Sequence, residues 1–116
     1  MTNSLRSFRP EHTDANALFA AFMALNRKAF AAGFYNTAYH ALAAALYVAH
    51  ARQDAEGLSQ VERLAVEQFA VIDAIAPAYE YATQSAEASE LPSIFTMLAR
   101  QAQAMLLRLA HKHDPA

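Results

Sequence analysis

The chain has 116 residues, enough for one ordinary domain whose core needs no covalent staples. Hydrophobic residues make up 55% and charged residues 17%, a balance that excludes both a disordered chain and a membrane-embedded one. Cysteine is absent and the net charge is −2, which removes disulfides, thiolate chemistry and Cys-ligated zinc, and leaves no strong field to draw the molecule onto nucleic acid or an anionic membrane.

Only two glycines occur, and about a quarter of the residues are alanine, the strongest helix former. The β-branched runs and turn clusters that sheets require are missing, so the expected class is all-α. Residues 1–12 are polar, carry Pro10, and read as a flexible arm with Leu5 and Phe8 available to tuck against the body. A single helical domain then spans 13–113. Thr13 or Asp14 can cap its first helix. Leu18, Phe22, Leu25 and Ala29 follow the rhythm of a buried stripe, widened by Phe19, Met23 and Phe30. Asn26 interrupts that stripe and is expected to be a satisfied buried amide. Gly33 supplies a left-handed residue to end the helix.

The second helix is predicted from about Tyr35 to Asp54, with Tyr35, Tyr39, Leu42 and Leu46 at helical spacing and Ala38, Ala45 and Ala49 beside them. Gly57 is expected to make the next break. Val61, Leu64, Ala65, Phe69, Ile72 and Ile75 form the core face of a third helix, with Glu62, Arg63 and Glu67 facing water. Pro77 removes a backbone donor and clashes with the preceding turn, which predicts a kink or a split there. Tyr79, Ala82 and Ala86 keep a helical rhythm beyond it. Pro92 is expected as the first residue of the last helix, whose core face holds Ile94, Leu98, Met105 and Leu109 with Phe95, Ala102 and Leu106. Short connections and four apolar stripes together predict an antiparallel up-down-up-down four-helix bundle.

The run Gly33-Phe34-Tyr35-Asn36-Thr37-Ala38, continuing to Leu42, Ala45 and Leu46, resembles the turn and second helix of a tetratricopeptide repeat. Phe22 and Leu25 stand where that repeat has large residues on its first helix. The resemblance spans 19–52 and implies a close-packed helical hairpin. It departs from the pattern at Asn26 and at His50–Arg52, and it does not recur one repeat later, where position 67 is Glu.

Signatures of chemistry are few. No Glu-x-x-His tetrad, His-Glu-x-x-His or phosphate-cradling glycine loop is present, so neither a metal nor a cofactor is expected. His50 and Asp54 share a helical face, and a helix-end ion pair accounts for them. Apolar runs 15–25 and 41–49 are too broken or too short for a signal peptide or a membrane span, which leads to the expectation of a cytoplasmic protein with no membrane partner.

Two surface patterns remain. Asn36, His40, Tyr47 and His50 trace a polar and aromatic stripe on the second helix, suited to lining a ligand cleft or meeting a partner chain. Its plainer reading is a half-buried boundary whose polar tips reach water. Arg108 and His113, like Arg6 and His12, match the Arg-x(4–6)-His spacing of the helical HEPN ribonucleases, at a frequency of about one match by chance in such a chain. The first expectation is therefore a small non-enzymatic helical interaction module that binds itself or another protein. Alanine-rich outer faces at Ala17, Ala20, Ala24 and Ala31 favour it. A small-molecule-binding or sensory bundle comes second and a HEPN-like ribonuclease third.

Overall fold

The computed structural model describes the backbone of residues 12–83 and 86–112 and the side chains of 14–75 and 93–112. Among the described residues the fold is all-α, with α1 at His12–Ala31, α2 at Tyr35–Ala51, α3 at Ala55–Thr83 and α4 at Ala86–Lys112. The predicted arm lies outside the described residues except for His12, where α1 opens. Thr13 and Asp14 therefore sit inside the first turn, where Asp14 complements the helix dipole. No helix among the described residues is long and apolar enough to cross a membrane.

α1 packs along α2, and α3 packs along α4. α2 also meets both α3 and α4, so the pairings are consistent with a helix bundle that has α2 at its centre. The molecule is a slab of 55 × 48 × 18 Å. Residues on several sides of α2 are buried, namely Ala38, Ala41, Leu42, Ala45, Leu46 and Ala49. The small alanine side chains let three neighbouring helices approach it closely. From α3 the core receives Leu58, Val61, Ala65 and Ile72, and from α4 it receives Phe95, Leu98, Ala102 and Met105.

Phe95 joins the last helix to the first pair. Its ring lies edge-on to Phe30 of α1 and to Tyr39 of α2, at centroid distances of 6.3 and 5.9 Å. Phe30 in turn packs on Tyr35 at 5.0 Å.

The buried face of α1 is narrower than the stripe read in the sequence. Leu18 and Leu25 are 48% and 47% exposed, whereas Met23, Asn26 and Ala29 are buried and Phe19, Phe22 and Phe30 half-buried. Asn26, at the centre of the inward face, is the satisfied buried amide that the sequence suggested.

Both described turns have the same build. Gly33, at φ +86, donates to the Phe30 carbonyl while the Phe34 N–H reaches the Ala29 carbonyl. Twenty residues later Gln53, at φ +53, donates to His50 and the Asp54 N–H reaches Ala49. Each is a Schellman closure, in which two carbonyls left open at a helix end find donors. The left-handed residue of the second turn is Gln53, so Gly57 is not the break. Gly57 lies within α3, buried, where a Cβ would sit 2.6 Å from Asp54 Oδ2 and 3.1 Å from the Ala49 methyl. Its missing side chain lets the start of α3 close on α2.

The proline boundaries also move. α3 runs through Pro77 to Thr83 without a split, and α4 opens at Ala86, which leaves Pro92 inside it. Residues 77–83 thus continue the third helix. A proline's bias against helix at the preceding residue is a preference, and the strong helix formers Ala86 and Ala88 oppose it. The apolar rhythm at Tyr79, Ala82 and Ala86 concerns side chains outside the described ones.

Candidate functional site

Three surfaces hold residues that the core does not consume. The first is the outer face of α2. Asn36, His40, Tyr47 and His50 are all exposed there, and Tyr47 is 59% so. They share a helical face that is open to solvent among the described residues. His40 packs edge-on against Tyr39 at 5.1 Å. Asp54, at the end of that stripe, accepts a hydrogen bond from the Gly57 N–H at 3.1 Å. Its carboxylate therefore caps α3 rather than pairing with His50, which corrects the ion pair read in the sequence. Among the described residues no group of three or more His, Asp or Glu side chains is placed to hold a metal ion.

The second surface is a groove along α3 and α4. One half, of about 500 Å³, lies between Ala55 and the segment from Gln103 to Ala110. The other, of about 340 Å³, lies between Glu62, Val66 and Phe69 on α3 and Thr96, Ala99 and Arg100 on α4. Gln103 lines both halves, which lie end to end along the two helices. From Thr96 to Ala110 the groove follows about 21 Å of helix. Val66 and Leu107 stand in its walls at 52% and 66% exposure. Glu62 and Arg100 face into the same half, with no ion pair between them.

Reading the sequence for a polar stripe passed over this groove. The available signal was Val66 and Leu107 themselves, large aliphatics placed off the core rhythm of their helices.

The third surface is a cavity of about 380 Å³ where the end of α2, the start of α3 and the end of α4 meet. His50 reaches it, alone among the four stripe residues, together with Arg108 and Lys112. Arg108 is one half of the ribonuclease-like pair, and its other half, His113, lies outside the described residues.

No family model matches the chain, and neither any curated protein nor any solved structure does. The stretch 19–52 that resembles a tetratricopeptide hairpin contains α2 and most of α1, joined by the Gly33 turn.

Proposed function

We propose that the chain is a non-enzymatic helical interaction module that forms a homodimer through the α3–α4 groove. The observation that carries this reading is that the groove sets exposed Val66 and Leu107 beside an acid and a base, Glu62 and Arg100, that form no ion pair among the described residues. A two-fold interface brings the same patch from both subunits together, so residue i of one meets residue j of the other in both directions. Placing Arg100 of one copy on Glu62 of the second satisfies both charges twice. The apolar walls on either side then supply the buried area that large aliphatics leave wet in the single chain. Within the proposal, the helices run up-down-up-down, with a bend in α3 where Pro77 leaves the Asp73 carbonyl without its helical donor. The module works in the cytoplasm, a compartment that suits a cysteine-free chain.

Sedimentation velocity tests the dimer. The wild type is expected at twice the 12.7 kDa chain mass. Leu107→Lys should weaken association by about tenfold or more. Glu62→Arg and Arg100→Glu should each weaken it through like-charge repulsion, and the double swap should restore it. A wild type that stays monomeric at high concentration, or a dimer indifferent to all three substitutions, overturns the proposal.

A further inference from the structure

We propose that the cavity between α2, α3 and α4 is a binding site for a small organic acid, a carboxylate carried on an apolar body. This goes beyond self-association and uses a different surface, which borders the groove only at Gln53 and Leu109. Its floor is apolar. Leu58 and Met105 are buried in the core and Leu109 is half-buried, and all three line the cavity.

Among the described residues its rim carries nitrogen donors and no carboxylate. Arg108 and Lys112 are four residues apart on α4 and therefore point to the same side of the helix. His50, in the last turn of α2, adds an imidazole from across the cavity. None of these three side chains makes an ion pair with another described residue.

Cations near the ends of α2 and α4 also complement the helix dipoles. That role explains their charge but not their convergence from two helices on one apolar-floored hollow. The volume lies at the lower end of the range for small-molecule pockets. A bare inorganic anion would lose hydration over Leu58, Met105 and Leu109 without gaining donors from the floor. A neutral apolar molecule would use the floor and gain nothing from the guanidinium and ammonium. A carboxylate on an apolar body fits both parts, with a fork-shaped guanidinium suited to its two oxygens.

Isothermal titration calorimetry of the full chain with sodium octanoate is the test, with 1-octanol, acetate and inorganic phosphate as comparison arms. Octanoate is expected to bind once per chain and about tenfold or more tighter than each comparison probe. Arg108→Gln and Lys112→Gln should each weaken octanoate several-fold, and because both side chains are exposed, the melting temperature without ligand should not move. Leu109→Gln should weaken it as well. Octanol binding as well as octanoate would reduce the cavity to an apolar hollow and overturn the proposal. Acetate or phosphate binding as well would reduce it to a charge patch, with the same consequence. No heat with octanoate, or glutamine variants that bind it normally, also overturns it.

Discussion

Asn26 of α1 and Gln68 of α3 face each other as a closed amide pair in the interior. The Asn26 amide donates to Gln68 Oε1 at 2.9 Å, and the Gln68 amide donates back to Asn26 Oδ1 at 2.6 Å. A third bond, from Asn26 Nδ2 to the Ala38 carbonyl at 2.7 Å, brings in α2. The two side chains are 0% and 4% exposed, and no buried polar side-chain atom among the described residues lacks a partner. This polar knot links three helices, and among the described residues the rest of the buried core is apolar. Sliding α1 by one turn along α3 would leave two buried amides open, so the pair sets helix register as well as contributing stability.

Breaking one side of the pair should be worse than removing both. Asn26→Ala leaves the Gln68 amide buried and open, a loss of about 1–3 kcal/mol. Gln68→Ala should behave alike, although Asn26 keeps its bond to Ala38 and the loss should fall at the lower end. An Asn26→Leu, Gln68→Met double variant exchanges both amides for apolar groups of similar size and should lose less than the two alanine changes summed. Urea unfolding of Asn26→Leu and Gln68→Met, alone and together, measures the coupling. Strictly additive losses would mean that the amides act independently.

The two Schellman turns allow a direct comparison of residue types at one backbone geometry. Gly33→Ala places a Cβ on a left-handed residue and should destabilise by about 1–2 kcal/mol, with open space around it ruling out a clash as the cause. Gln53→Gly removes the same strain from the second turn and should stabilise by about 0.5–1 kcal/mol, after the extra freedom glycine adds to the unfolded chain. Thermal melts of both variants should therefore shift in opposite directions.

Composition and periodicity carried most of the helical content, because alanine and the 3.6-residue rhythm act locally. The Gly33 turn was legible for the same reason: its φ of +86 is one that glycine accepts readily. What was not legible depended on tertiary context. Asn26 was read as a satisfied buried amide and is one, but its partner Gln68 on another helix was not legible, and Leu18 and Leu25 were placed on the buried stripe although both are largely exposed. Likewise Gln53, rather than a glycine, took the left-handed position of the second turn. On the surface, the stripe Asn36, His40, Tyr47 and His50 was read as a unit, yet His50 alone of the four lines the cavity between α2, α3 and α4.

Asp54 and Gly57 should prove coupled. Asp54→Ala removes the cap on α3, a loss of about 1 kcal/mol. Gly57→Ala gains roughly as much from helix propensity, but its methyl would displace the Asp54 carboxylate and press on Ala49. In the native background the alanine is therefore expected to destabilise the protein. In the Asp54→Ala background, with no carboxylate left to displace, its penalty should shrink by most of the capping energy. Guanidinium unfolding of the four proteins resolves a difference of this size, and equal effects of Gly57→Ala in both backgrounds would remove the steric link between them.

Among the described residues Phe95 is the largest fully buried side chain, and its ring links α4 to both α1 and α2. Phe95→Ala should cost about 3–5 kcal/mol, a large share of the stability of a domain this size. Phe95→Leu keeps much of the volume and loses the two edge-on ring contacts, so a smaller loss is expected, with about 0.5–1.5 kcal/mol of it assignable to each aromatic pair. Tyr39→Leu and Phe30→Leu, made alone and with Phe95→Leu, separate ring–ring coupling from simple burial. Near-UV circular dichroism should follow the same order, because Tyr39 loses its asymmetric neighbour when the Phe95 ring is removed. If Phe95→Leu proved as stable as the wild type, burial alone would hold α4 in place and the ring geometry would contribute nothing.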